Sequence, residues 1–283
     1  MFSGYGGLDL AVETVTGAEP AWFCEYGPAP SKVLAHHWPD VPNHRDVTSI
    51  DWGRVEPVDI LTAGYPCQPF SKAGNREGTH DERHLWPFVH NAIRLLRPRL
   101  VVLENVTGHL SLGFDRVLAD LAEIGFDAEW ATLRASDIGA PHHRDRLFVL
   151  AYPCGERREA QQLTRRPAQE ITRYHDREHI LSWARCAADL ANQLGPRVAA
   201  WALLHGEPPL PTVETVEYRD VDLFGHRFPE VRHGINTEFV EWMMGLPAGW
   251  VTGVGLSRNE QLRVLGNGVC PPQAVAALRG IMA

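Results

Sequence analysis

Val58-Asp59-Ile60-Leu61-Thr62-Ala63-Gly64-Tyr65-Pro66-Cys67-Gln68-Pro69-Phe70-Ser71 is the stretch on which the fold reading turns. Residues 58–63 are a short apolar run bounded by turn residues, the pattern of a buried parallel strand. Cys67 stands just past its end. Pro66 and Pro69 flank it, each fixing its own φ and restricting the residue before it, so the backbone carrying the thiol is constrained. A lone cysteine is more often a small buried hydrophobe than a nucleophile. Held between prolines at a strand end of an α/β pattern, it points towards chemistry.

A second strand, Leu100-Val101-Val102-Leu103-Glu104-Asn105-Val106, also ends on a functional group. Neighbouring strands ending in Cys67 and Glu104 would present a thiol and a carboxyl to one crevice at the carboxyl edge of the sheet. Between them, residues 71–83 are polar and aperiodic with Gly74 and Gly78, a loop read as a lid. Leu85, Phe88, Val89, Ala92, Ile93 and Leu96 then mark one helix face. Phe114, Val117, Leu118 and Leu121 mark another, with Gly125 as its C-terminal cap.

Towards the N-terminus, Ser3-Gly4-Tyr5-Gly6-Gly7 is a glycine turn opening a helix through Leu8, Ala11, Val12 and Val15. Such a turn lets a ligand approach the backbone, and the helix start offers unpaired N–H groups. The spacing does not match GxGxxG, because Asp9 falls where the third glycine belongs. Only Met1 and Phe2 precede the turn, so the first strand is expected to be truncated or to start upstream. Ala21 to Glu25 is read as the next strand, its acid placed to hold a ribose hydroxyl pair. A helix from about Ser31 to Trp38 follows.

Towards the C-terminus, residues 128–133 and 147–151 read as strands separated by Ala140-Pro141-His142-His143-Arg144-Asp145-Arg146. Arg144 and Arg146, two apart, are expected to share one strand face. From Gly155 to about Asn236 the α/β rhythm fades, and a small second domain is placed there. The rhythm returns at Thr237. Ser257 to Glu260 is a capping box opening a helix that ends at Gly266-Asn267-Gly268, and a last helix starts at Pro272.

The chain has 283 residues and a formal net charge of −8, which by itself argues against a nucleic-acid partner. The distribution softens that, because residues 141–185 hold nine arginines against six acids. The five cysteines form no CxxC pair, so neither a disulfide framework nor a zinc site is suggested. No metal is expected at His142-His143. The absence of a membrane-length apolar run and of a signal pattern reads as cytoplasmic.

In combination these motifs resemble the cytosine-C5 DNA methyltransferase family. Phe2 to Leu8 looks like its first motif, Pro66 to Ser71 its catalytic motif, and Glu104-Asn105-Val106 its ENV motif. His142 to Arg146 is similar to QxRxR, with His for Gln, and Gly266-Asn267-Gly268-Val269 to the final motif, all in family order.

The resemblance implies a Rossmann-like, S-adenosylmethionine-dependent α/β sheet, with residues 1–152 and 237–283 as the catalytic and cofactor domain. A target recognition domain is implied over 153–236. It further implies flipping of a cytosine out of duplex DNA, Cys67 attacking C6, and Glu104 contacting the N3/N4 edge. Arg144 would hold O2 and Arg146 would brace the site. For the cofactor, Phe2 would pack on adenine, the Gly4 and Gly6 backbone would face the methionine portion, and Glu25 would bind the ribose. Asp46 would take the adenine amine and Asn267 would close the methionine end. Ser3, Gly7, Leu8, Val47, Gly64, Pro66, Leu85 and Val269 would line the same pocket. Gln68, Ser71, Arg83, Arg157, Arg158, Arg165 and Arg166 would meet DNA. A monomer from a bacterium or bacteriophage, with a companion restriction endonuclease as a partner to look for, completes the implied picture.

Three other readings compete. An RNA cytosine methyltransferase of the same fold is the nearest, disfavoured because Gln68 and Pro69 follow the cysteine. A silent relative should have lost Cys67, Glu104 or Arg144. A nicotinamide oxidoreductase lacks its glycine fingerprint.

Overall fold

The computed structural model describes residues 1–66, 85–164, 196–221 and 227–283. Four strands form the main sheet: β1 (Ile60–Ala63), β2 (Leu100–Val106), β3 (Phe126–Arg134) and β4 (Asp145–Pro153), in the order β1-β2-β4-β3. β1 and β2 are parallel and in register from Ile60 opposite Leu100 to Ala63 opposite Leu103. β4 runs antiparallel to both β2 and β3. The two strands read as neighbours are therefore neighbours, and they end on the same edge.

The continuous apolar runs are explained by layers on both faces. On one face, Val101, Leu103, Leu147 and Val149 pack with Trp86, Val89 and Ile93 of α3 (Trp86–Leu96), the helix that follows α2 (Pro28–His37) in the chain, and with Val117 and Leu121 of α4 (Phe114–Glu123). On the other, Leu100, Val102, Phe148 and Leu150 meet Leu8, Ala11 and Val12 of α1 (Gly7–Thr16). Ala274, Ala277 and Leu278 of the last helix, Pro271–Met282, complete that face. Gly125, with φ 78°, donates its N–H to the Ala122 carbonyl and stops α4 as expected.

Two local expectations are corrected. Residues 21–25 are not a strand but an extended segment with one bridge, Phe23 to Asn43. Arg144 precedes β4 and has φ 31°, so the alternation that predicted a face shared with Arg146 starts one residue too early.

Met1 and Phe2 lie between β1 and the segment at Cys24. The Met1 ammonium donates to the Thr62 carbonyl at 2.7 Å, the Met1 carbonyl accepts from Gly64 N–H, and Phe2 N–H donates to Cys24 O. That is a parallel ladder pattern on the free edge of β1. Beside it a groove of about 650 Å³ runs along β1, walled by Val12, Glu13, Trp22 and Ile60. Glu104 is not among its walls.

Within 153–236 the described residues form α5 (Arg157–Thr164), α6 (Pro196–His205) and an antiparallel pair, β5 (Thr212–Val221) and β6 (Arg227–Ile235). Trp201 of α6 is fully buried and donates its indole N–H to Trp242 O at 3.0 Å. Trp242 belongs to α7 (Thr237–Met243) and donates its own to Gly206 O at 2.9 Å. No helix among the described residues is long and apolar enough to cross a membrane.

Candidate active site

Glu104 lies near the end of β2 and is 9% exposed. Burial pushes its pKa above the ordinary carboxylate range, opposed by the charges of Arg146 and Arg144. Arg146 Nε stands 3.0 Å from Glu104 Oε1. The strand register puts Val106, not Glu104, directly opposite Arg146, so the pair is a diagonal contact across β2 and β4. A β carbon on Gly64 would lie 3.5 Å from Phe2 O and 3.7 Å from Glu104 Oε2. Glycine there keeps the end of β1 open beside the carboxyl.

Arg144 goes elsewhere. Its guanidinium donates to the carbonyls of Gly266, at 3.1 Å, and Gly268. Both belong to the turn ending α8 (Arg258–Asn267), whose capping box is formed by Ser257 and Glu260 as expected. That turn is interlocked with the glycine loop. Tyr5 Oη donates to Val269 O at 2.5 Å, and the Tyr5 ring covers Gly268 so closely that a β carbon there would come within 1.9 Å of it. A β carbon on Gly7 would meet Val269 O at 2.2 Å. The two motifs, more than 250 residues apart in sequence, are packed backbone to backbone.

Glu25 is bound into the same corner. Its Oε2 accepts from Gly4 N–H at 2.9 Å and its Oε1 from Gly27 N–H at 2.8 Å. Each carboxylate oxygen retains a second acceptor direction for a diol. Burial raises the Glu25 pKa, and the two backbone donors counteract it. Asp46 is half-buried and accepts from Thr48 N–H at 2.9 Å and Thr48 Oγ1 at 2.7 Å, which lowers its pKa. Val47 beside it is buried.

A cavity of about 30 Å³ between these parts is lined by Phe2, Ser3, Gly4, Leu8, Gly64, Glu104, Asn267 and Val269, among others. Seven of those eight were expected around a cofactor, with Glu104 expected at the base. Ser3 Oγ is buried without a hydrogen-bond partner among the described residues. An orphaned hydroxyl, positive-φ backbone at Gly4 and an open glycine at 64 suit a polar ligand whose chain lies against the loop. Pro66 is exposed and Leu85 half-buried at the start of α3.

Cys67, Gln68, Ser71 and Arg83, the loop 71–83, and Arg165 and Arg166 lie outside the described residues. Arg157 binds Glu129 in a fork, Nε to Oε1 at 2.5 Å and Nη2 to Oε2 at 3.0 Å. Its guanidinium is thus held against β3, whereas Arg158 is exposed. Cys24 and Cys270 are buried, and burial pushes both thiols up to about 11, as befits core cysteines.

Sequence reading assigned no role to several residues that build the site. Asn43 Oδ1 accepts from Glu25 N–H at 2.9 Å. Gln273, fully buried, donates to Leu133 O and Arg144 O, both at 2.7 Å. Trp250 donates its indole N–H to Tyr5 O at 3.0 Å and stacks on His37 with centroids 3.5 Å apart. None sits in a motif, and only a polar residue among the apolar ones that open the last helix hinted at Gln273.

Comparison with known proteins gives these features a family. The family model for C-5 cytosine-specific DNA methylase matches residues 1–186. The chain is 32% identical over 168 residues to type II methyltransferase M.NlaIV of Neisseria lactamica, covering 53% of this chain and 39% of that protein. It is 26% identical over 289 residues to type II methyltransferase M2.BsuMI of Bacillus subtilis, covering 95% and 71%. The chain thus spans about two fifths of the length of the first of these. A crystal structure of S. pombe Dnmt2 methyltransferase superposes with a TM-score of 0.60 at 16% identity, covering 99% of this chain and 96% of that one. At that identity the likeness speaks for the fold, which is Rossmann-like as expected. The chain belongs to the C-5 cytosine-specific DNA methylase family.

Proposed function

We propose that this chain transfers a methyl group from S-adenosylmethionine to C5 of a cytosine flipped out of duplex DNA, acting as a monomer. The observation that carries the reading is the buried Glu104 carboxyl, braced by Arg146 at 3.0 Å, on the strand beside the one that leads to Cys67. S-adenosylmethionine, when bound, supplies an electrophilic methyl on a sulfonium and leaves as S-adenosylhomocysteine. Ser3 Oγ, the Gly4 backbone, the Glu25 carboxylate and Asn267 are the groups that would hold it, with Phe2, Leu8 and Val269 as apolar walls.

The Cys67 thiolate adds to C6, forming an S–C bond while the ring electrons move towards C5. Glu104, kept protonated to higher pH than a solvated carboxyl, donates its proton at N3 and makes that displacement favourable. C5 then takes the methyl group. Loss of the C5 proton to solvent returns the electron pair, reforms the C5=C6 bond and expels the thiolate, and the N3 proton passes back to the Glu104 carboxylate, leaving neutral 5-methylcytosine and the acid restored. Base flipping is required because C5 and C6 are inaccessible inside a stacked duplex.

In this reading the two arginines divide their roles, and the pairing of Arg146 with Glu104 supports Arg146 as the guanidinium that meets the base edge. Arg144 instead secures the Gly266–Gly268 carbonyls beneath the cofactor loop. Residues 1–152 and 237–283 form the catalytic unit in this reading, and 153–236 recognises the target, with Arg158 available to a phosphate.

The test uses duplex DNA carrying 5-fluorocytosine at many sequence contexts, incubated with protein and S-adenosylmethionine and run on a denaturing gel. Fluorine does not leave as a proton does, so a covalent adduct should accumulate with the wild type and not with Cys67→Ala. An adduct on fluorocytosine RNA alone would move the substrate to RNA. No adduct on either nucleic acid would overturn the reading.

A further inference from the structure

Tyr65 stands two residues before Cys67 and is 5% exposed. Its hydroxyl lies 2.8 Å from His109 Nε2, and His109 is 1% exposed. The other ring nitrogen, Nδ1, lies 2.9 Å from Leu112 O. A carbonyl only accepts, so Nδ1 carries the proton there, Nε2 offers its lone pair, and the tyrosine hydroxyl donates to it. On the backbone side, Asn105 Nδ2 donates to Tyr65 O at 3.3 Å. Both the side chain and the carbonyl of Tyr65 are therefore held by the segment that begins at Glu104. Asn105 is the next residue on β2, and His109 lies in the 3-10 turn Thr107–Ser111.

Two aromatic rings of the same shape without the hydroxyl and the imidazole nitrogens would fill this space with no side-chain polar group to desolvate, losing only the donor to Leu112 O. A buried polar pair adds little net stability over an apolar isostere, but it fixes one relative geometry, because any shift leaves a donor or acceptor unsatisfied. The geometry that this pair fixes is the exit of β1 relative to the end of β2. We propose that Tyr65 and His109 are a positioning pair that sets the exit of β1 at Tyr65–Pro66 against the end of β2 at Glu104, immediately ahead of Cys67 in the chain. The pair acts on thiol addition and not on affinity for cofactor or DNA. This rests on Cys67 being the nucleophile of the proposed reaction.

The experiment compares wild type, Tyr65→Phe, His109→Phe and His109→Gln on genomic DNA from a methylation-deficient bacterium with radiolabelled S-adenosylmethionine. In parallel, the rate at which iodoacetamide alkylates Cys67 is read by peptide mass spectrometry without DNA. Tyr65→Phe and His109→Phe should lose about tenfold or more in kcat, with KM for DNA and cofactor within about twofold. His109→Gln retains an acceptor at similar reach and should recover to within about threefold of wild type. Cys67 alkylation in Tyr65→Phe should differ from wild type by about threefold or more. A kcat within about twofold of wild type in Tyr65→Phe, a loss carried by KM, or His109→Gln as impaired as His109→Phe would each overturn the pairing. A wild type that methylates nothing would overturn the proposed function instead. The alkylation comparison then decides the positioning role alone, and equal rates refute it.

Discussion

Arg146 and Glu104 meet diagonally across β2 and β4, Nε 3.0 Å from Oε1, with the Arg146 charge opposing the effect of burial on the carboxyl. The arginine therefore lowers the pH at which Glu104 gives up its proton, against the larger upward effect of burial. Activity should fall on the alkaline side as pH rises through the Glu104 pKa. Arg146→Gln removes an influence that lowers that pKa, so the alkaline limb should move to higher pH even as the rate drops. Glu104→Gln should abolish the limb and cost about 10²–10⁴ in kcat. A pH–rate profile of the three proteins checks both.

Gly268→Ala tests the interlock between the two ends of the chain. The added methyl would sit 1.9 Å from a Tyr5 ring that is itself anchored to Val269 O. Neither side can yield cheaply, so a loss of about 3 kcal/mol in urea denaturation is expected. Tyr5→Ala in the same chain should relieve part of it, giving a non-additive double-mutant cycle.

Glu25→Gln should weaken S-adenosylmethionine. The amide keeps one acceptor oxygen but turns an NH₂ group towards Gly4 or Gly27, both of which also donate. About tenfold in Kd, or about 1.4 kcal/mol, is expected by calorimetry. Asp46→Asn, on a side chain already bonded to Thr48 whose amide keeps an acceptor oxygen, should change the Kd by less.

His142 donates from Nε2 to Met243 O at 2.9 Å, and burial pushes its pKa down from 6.5 to about 4. Between those pH values the unfolded chain binds more protons than the folded one, so stability is lost as pH falls from about 6.5 to about 4. His142→Gln keeps the donor and removes the titration. Its unfolding free energy should depend less on pH in that window, leaving the slope from His205, which burial also pushes to about 4.

Glu241, 1% exposed, accepts from the N–H groups of Gly249, Val251 and Thr252 and from Thr252 Oγ1. Glu241→Ala orphans four buried or half-buried donors at once. A loss of about 3 kcal/mol or more is expected from denaturation. The loop also carries Trp250, which holds Tyr5 O, so cofactor affinity should fall with it.

What the sequence determined by itself is local in origin. Apolar runs ending in Ala63 and Val106 announced neighbouring parallel strands because burial on both faces leaves no polar alternation. Capping boxes and proline starts placed helices to within a residue or two. The glycine turn ahead of α1 was legible because glycine spacing reports backbone conformation directly.

Tertiary structure alone decided where long side chains go. Arg144 and Arg146 are two residues apart and identical in chemistry, yet one takes the carbonyls of Gly266 and Gly268 and the other takes Glu104. The choice depends on a positive φ at Arg144 and on β4 pairing with β2 out of sequence order, neither of which a pattern of residue types encodes. The extended reading of 21–25 as a strand failed for a related reason. A strand needs partners along its length, and here only Phe2 N–H and the Asn43 bridge supply them. Tyr65 and His109 belong to the same class, since 44 residues separate two groups that meet only because β1 and β2 end side by side.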